Sequence, residues 1–177
     1  MEEEVKIETV QADMRNFILR KKVDFAFIMM GSFSFKSNEE LLNHLHSMAY
    51  SFKKGALYLI QNMAVDWTKN VEQSWTMERN GIKVRVTYTT RLKDILNQIY
   101  IEKIAMEVDD HGKQLKLEGE ENLKFVFPQE FKALVKLDGK FEFLGWWEGT
   151  ESTWHIEKPL EKAEKLTNIN MALLRRK

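Results

Sequence analysis

Residues 23–30 of the chain, Val-Asp-Phe-Ala-Phe-Ile-Met-Met, are apolar almost without interruption and stop at Gly31. Runs of this kind are buried on both faces, as in a parallel sheet covered by helices. Ahead of them, Val5, Ile7, Thr9 and Val10 form a short β-type run that ends at Gln11-Ala12-Asp13-Met14. The clearest helix signal follows. Ser37 and Glu40 have the spacing of a capping box, and Leu41, Leu42, Leu45, Met48, Ala49 and Phe52 then share one face at helical spacing. Lys53 and Lys54 sit where a helix dipole favours cations, and Gly55 is placed to supply a left-handed C′ residue. Residues 56–60 read as the next buried strand. Strand, helix and strand with short joints predict a right-handed crossover and a parallel pair.

From about Glu72 the periodicity changes to two. Ile82, Val84, Val86 and Tyr88 alternate with Lys83, Arg85, Thr87 and Thr89, and the same alternation returns over residues 99–108 and 114–118. Asn80-Gly81 and Asp110-His111-Gly112 are turn signals of the kind that join antiparallel strands. The pattern predicts an antiparallel meander with one solvated face. Pro128 then fits the first turn of a short helix through Leu137, which Asp138-Gly139 ends. Residues 141–147 and 168–174 read as the closing strands.

Composition narrows the possible functions. The 177 residues carry 27 Lys+Arg and 27 Asp+Glu, so no basic excess is available for nucleic acid or an acidic membrane. There is no cysteine, which removes disulfides and thiolate chemistry from this sequence. No apolar run approaches the roughly 20 residues of a membrane helix, and the start, Met1-Glu2-Glu3-Glu4, is acidic where a signal peptide would be basic. A soluble cytoplasmic globule is the expectation. His44, His46, His111 and His155 have no metal-ligand spacing. Of the five tryptophans, Trp146 and Trp147 read as packing residues, whereas Trp67 and Trp75 are equally placed to line a substrate mouth. Glu72, Gln73 and Trp75 lie where the alternating segment begins.

Together, residues 10–17 (Val-Gln-Ala-Asp-Met-Arg-Asn-Phe), 23–32, 41–60, 141–147 and the last strand resemble the class I S-adenosylmethionine-dependent methyltransferases. The likeness is to the small-molecule branch with an antiparallel insert after the fifth strand. It implies a partial Rossmann-like α/β sheet, from the family's third strand onward, over residues 1–66 and 125–177 of a single domain. The insert, residues 67–124, would cap the substrate. The resemblance further implies S-adenosylmethionine as cofactor and methyl transfer to nitrogen or oxygen of a small molecule. Asp13 would accept from the adenine amino group and the Met14 amide would meet the ring; read from the residues alone, Asp13 is a helix cap. Met30, Gly31 and Ser32 would lie beside the reactive methyl; alone, Gly31 is a strand-end glycine that permits positive φ. Trp67, Gln73 and Trp75 are the substrate-side candidates, and no catalytic base can be named.

One departure outweighs these matches. The family's glycine-rich first turn and its ribose-binding acid are not in this sequence, whose first glycine is Gly31. About two βα units, each on the order of 30 residues, have no counterpart. Removing the family's first two strands from its order, 3-2-1-4-5-7-6, leaves residues 23–30 with an open edge. The expected consequences are weak or partner-dependent cofactor binding, and one of three structural outcomes. The chain self-associates, another chain covers the edge, or residues 5–10 move across to pair with it. Two rival readings remain: a non-catalytic remnant or accessory subunit acting through a partner chain, and a simple ligand-binding β module.

Overall fold

The computed structural model describes residues 7–61, 66, 68–149, 156–159 and 170–177. In chain order the elements are β1 (Val23–Ile28), α1 (Asn38–Ser51), β2 (Phe52–Gln61), β3 (Val71–Arg79), β4 (Ile82–Asp94), β5 (Ile99–Asp110), β6 (Lys113–Lys124), α2 (Pro128–Asp138), β7 (Phe141–Gly149), β8 (Ile156–Pro159) and β9 (Asn170–Arg176). They make a five-stranded sheet ordered β1-β2-β9-β7-β8 and a four-stranded meander ordered β3-β4-β5-β6.

β1 and β2 are parallel; every other pairing in the first sheet is antiparallel. Cross-strand registry places Ala26, Tyr58 and Leu174 in one row and Ile28, Ile60 and Ala172 in the next. Those rows face α1 and α2, and they merge with Leu41, Leu45, Phe131 and Val135 in one core. β7 joins that core through a bulge. The register shifts between Phe143 and Gly145, so Phe143 and Trp146 both meet the core although three positions separate them.

The helices begin where the sequence places them. In α1 the Ser37 hydroxyl accepts from the Glu40 amide at 3.2 Å, and Glu40 accepts in turn from the Lys36 amide at 2.8 Å. α2 closes on Gly139 at φ 72°. Gly55 differs from the expectation. α1 ends at Ser51, four residues earlier, and Gly55 takes φ 83° in the irregular entry to β2, where Val23 opposes Phe52 but Phe25 opposes Leu57. The chain turns directly from helix into strand, so no αL residue closes α1.

Two further expectations fail at the edge. The described residues of the 5–10 segment, Ile7, Thr9 and Val10 included, are irregular and exposed and do not pair with β1. A strand persists only with a ladder partner that satisfies its amides. Among the described residues the first strand of this sheet is therefore β1. Nor is β1 buried on both faces: Ala26 and Ile28 meet the core, whereas Phe25 and Phe27 are exposed on the other side.

The meander follows its alternation closely. Asn80-Gly81 and His111-Gly112, all at positive φ, form two-residue hairpins closed by the pairs Arg79–Ile82 and Asp110–Lys113. The rows Trp75–Val86–Met106–Leu117 and Met77–Val84–Val108–Leu115 lie on one face, and lysines, arginines and glutamates occupy the other. Polar bonds join the meander to the helices. Glu130 of α2 accepts from Asn38 Nδ2 at 2.9 Å and from Gln98 Nε2 at 2.7 Å, and Lys124 Nζ donates to Gln98 Oε1 at 2.7 Å. Burial pushes the Glu130 carboxyl up, but the bonds from Asn38 and Gln98 outweigh it and hold the pKa below the ordinary value.

Candidate functional site

Ligands of open α/β sheets gather beyond the carboxyl ends of the parallel strands. Here that end comprises the Met30-Gly31 turn after β1, Gln61 at the end of β2, the first turns of α1 and residues 13–17. Met30 and Gly31 both have positive φ, at 57° and 75°. The Ser32 amide closes their turn onto the Met29 carbonyl at 3.2 Å, and the buried Gln61 side chain accepts from the Met30 amide at 2.7 Å. A Cβ built on Gly31 meets nothing within 4 Å, so open space adjoins the turn.

Asp13 opens a single helical turn, its carbonyl accepting from the Asn16 and Phe17 amides. Its carboxylate accepts from the Arg15 amide at 2.9 Å and grips the Arg15 guanidinium, with the closest contact 2.6 Å. The cap reading is therefore realised. The Arg15 side-chain bonds hold the Asp13 pKa down to about 2, so the group is ionised at neutral pH. Arg15 also donates to Glu40 at 2.8 Å, tying this turn to the first turn of α1.

His44 is the pin beneath the site. Buried in α1, it lies 2.6 Å from the Met14 carbonyl through Nδ1 and 2.8 Å from the Tyr58 hydroxyl through Nε2. A carbonyl can only accept, so Nδ1 carries the proton, and neutral Nε2 accepts from Tyr58. The ring also packs edge-on against Phe33, two residues past Gly31, at 5.4 Å between centroids. One side chain thus fixes both Met14 and the segment leaving β1. With its carbonyl held, Met14 has an N–H that meets no acceptor among the described residues.

Desolvation lowers the His44 pKa below its ordinary 6.5, and the Met14 carbonyl only partly opposes this. The unfolded chain then binds a proton that the folded chain refuses, so stability is full above about pH 6.5 and declines as pH falls. Urea midpoints measured from pH 7.5 to 5 are expected to drop along this slope, by at most about 1.4 kcal/mol per pH unit for one proton. A His44→Gln variant should lose the same part of the slope.

Asp13, Met14, Met30, Gly31 and Ser32 thus lie at one end of the sheet, bridged through His44. Gln73 and Trp75 do not join them: both sit on β3, opposite Tyr88 and Val86, with no bond or ring contact to the other five among the described residues. Trp67, Trp154 and His155 lie outside the described residues. Trp146 is buried in the core, and the Trp147 ring lies against Gly145. No group of three metal-ligating side chains occurs among the described residues. Sequence reasoning missed His44, Gln61, Arg15 and Tyr58. His44 had a signal, since it falls on the apolar face three residues after Leu41 and four before Met48.

No family model and no curated protein matches the sequence. Solved structures do match the fold. An S-adenosylmethionine-dependent methyltransferase from Clostridium acetobutylicum aligns over 97% of this chain and 65% of its own, with TM-score 0.68 and 14% identity. DesVI from Streptomyces venezuelae aligns over 93% and 63%, with TM-score 0.68 and 16% identity. CalS10 from Micromonospora echinaspora, an amino pentose methyltransferase solved with S-adenosylmethionine bound, aligns over 94% and 63%, with TM-score 0.62 and 12% identity. The chain has the methyltransferase fold. Its run β1-β2-β9-β7 is the 4-5-7-6 part of that fold's sheet, with the meander inserted after the fifth strand. The chain spans less than two thirds of the length of these three relatives in fold.

Proposed function

We propose that this chain is the acceptor-side part of an S-adenosylmethionine-dependent methyltransferase acting on a nitrogen or oxygen of a small molecule. The observation that carries the reading is the methyltransferase sheet order combined with an end that brings together Asp13, a Met14 N–H without an acceptor among the described residues, the open Met30-Gly31 turn and His44. These residues suit the adenine and methionine ends of the cofactor. An ionised carboxylate accepts from an exocyclic amine, and a free amide donates to a ring nitrogen. The glycine turn and ribose acid have no counterpart in these 177 residues, so those contacts come from elsewhere.

The cofactor supplies a methyl group on a positively charged sulfur. The chain's own contribution is alignment and exclusion of water. His44 holds the Met14 carbonyl so that its N–H keeps one direction, and Gln61 holds the Met30 amide so that the β1 turn keeps its shape. Arg15 competes with adenine for Asp13: its amide, Nε and Nη2 already engage both carboxylate oxygens, so an adenine amine must displace part of that grip. Beyond the site, the exposed Phe25 and Phe27 and an outer edge of β1 that no strand among the described residues pairs favour a covering chain, either another copy or a separate polypeptide that supplies the cofactor cradle. In the latter case this chain is an accessory subunit without activity of its own.

The test is cofactor affinity in the assembly that binds it. Asp13→Ala is expected to weaken S-adenosylmethionine about tenfold, the usual effect of one lost charge-assisted hydrogen bond. Equal affinity in calorimetric titrations of the two proteins would leave Asp13 a cap and nothing more. Label transfer from methyl-tritiated cofactor to amine- or hydroxyl-bearing acceptors, amino sugars first, then separates an enzyme from an accessory subunit.

A further inference from the structure

Charge is balanced over the whole chain, 27 against 27, but not over its surface. Phe25, Leu57, Arg175 and Glu142 make one cross-strand row of the five-stranded sheet. Beyond that row, at the end opposite Met30 and Gly31, four adjacent strands terminate within about 15 Å of one another across the sheet. β1 is entered there through Arg20-Lys21-Lys22, and β2 starts with Phe52-Lys53-Lys54. β9 leaves through Arg176-Lys177 beside Lys140, whose carbonyl accepts from the Lys177 amide at 3.0 Å. With Arg175 of the row itself, nine cations meet three carboxylates here among the described residues, Asp24, Asp138 and Glu142.

Three of the nine are engaged. Lys53 Nζ donates to Asp24 at 2.6 Å, Arg175 lies 3.5 Å from Glu142, and Arg176 donates to the carbonyls of Ala49 and Lys140. The other six, Arg20, Lys21, Lys22, Lys54, Lys140 and Lys177, have no carboxylate partner among the described residues. α1 and α2 also end here, and their dipoles favour cations, but only within the last turn. None of the six lies in a helix. Like charges gathered without counter-charges repel one another, so the arrangement calls for an anionic partner.

The same end shows what kind. Ile18, Tyr50 and Leu137 border it at 60%, 48% and 72% exposure. Tyr50 and Leu137 stand in the last turns of α1 and α2, and Ile18 precedes Leu19, whose amide donates to Ser51 Oγ at 3.0 Å. Aliphatic side chains gain nothing from a nucleic-acid phosphate backbone. In a lipid headgroup layer they gain burial, while the ammonium groups around them meet phosphates.

We infer that this end of the sheet docks on an acidic lipid surface, with Ile18 and Leu137 entering the headgroup layer and the six unpaired cations meeting anionic headgroups. The contact is peripheral and needs no spanning helix. Asp13, Met14, Met30 and Gly31 lie at the far end of the strands and stay open in that pose. The inference does not depend on the methyltransferase reading.

Flotation of the full 177-residue chain with vesicles tests it. Binding is expected to phosphatidylcholine vesicles carrying about 30% phosphatidylserine and not to pure phosphatidylcholine, since only the former present a negative surface potential. It should vanish near 1 M salt, where the Debye length is only about 3 Å. One Lys or Arg near an acidic surface is worth about fivefold in affinity. Lys21→Gln, Lys22→Gln and Lys54→Gln together should therefore weaken binding about a hundredfold. Lys83→Gln, Lys93→Gln and Lys113→Gln on the meander change the net charge equally and should alter it by less than about twofold, since they lie away from the contact. All six side chains are exposed, so the fold tolerates both changes. A chain that ignores acidic vesicles, or binds both kinds of vesicle alike, overturns the inference. So do two triple variants that bind equally, or a single-stranded RNA that displaces the chain from acidic vesicles at equal phosphate, which would make nucleic acid the partner.

Discussion

Replacing His44 by alanine is expected to destabilise the protein by about 3–4 kcal/mol, from the cavity left at a buried site and two polar partners stranded with it. The Met14 carbonyl and the Tyr58 hydroxyl each lose their bond at 2.6 and 2.8 Å, and Phe33 and Phe35 lose an aromatic neighbour at 5.4 and 5.3 Å. Tyr58→Phe should cost less, about 1–2 kcal/mol, because it deletes one hydroxyl and leaves no hole. The double variant should cost less than the sum, since both changes break the same bond. Urea denaturation of the three variants gives this cycle directly. A His44→Ala loss below about 1 kcal/mol, the value of an ordinary exposed substitution, would mean that His44 does not hold the Met14 turn.

The second large effect concerns the cofactor. Titration of the isolated 177-residue chain with S-adenosylmethionine is expected to give a dissociation constant around millimolar or weaker. Most contacts of such a cofactor come from a glycine-rich turn and a ribose-binding acid, and every 1.4 kcal/mol removed is a factor of ten. Asp13, Met14 and the Met30-Gly31 turn offer the two ends only. A micromolar constant measured by calorimetry would show that this chain grips the cofactor by some other set of groups.

How much of this could be read before the structure depends on the range of each interaction. The capping box at Ser37, the Gly139 stop and both hairpins are set by neighbours within four residues, and each forms where the pattern places it. The meander face is legible for the same reason: alternation plus turn length fixes register. The segment at residues 5–10 has strand composition, but a strand also needs a partner, and composition carries no information about one. Lys53-Lys54-Gly55 imitates a helix end because a bulged strand entry uses the same residue types. At the site, Asp13 was legible as a residue, but the bond from its partner Arg15 to Glu40 was not, since Glu40 lies 25 residues from Arg15. The bonds of His44 to Met14 and Tyr58 likewise span 30 and 14 residues.

The extra residue at Leu144 has a further effect. A strand is a two-beat sequence, and β7 drops a beat between Phe143 and Gly145. Its first half presents odd-numbered side chains to the core, its second half even-numbered ones, and the two halves are out of phase. Deleting Leu144 would make the ladder regular, with Phe143 and Gly145 opposite the adjacent Leu174 and Leu173, and would leave Trp146 facing the core. An alignment that treats the segment as one uniform strand will match the wrong partner on one side of Leu144. The correct correspondence carries a single-residue gap in the middle of a β-strand, where scoring schemes penalise it most.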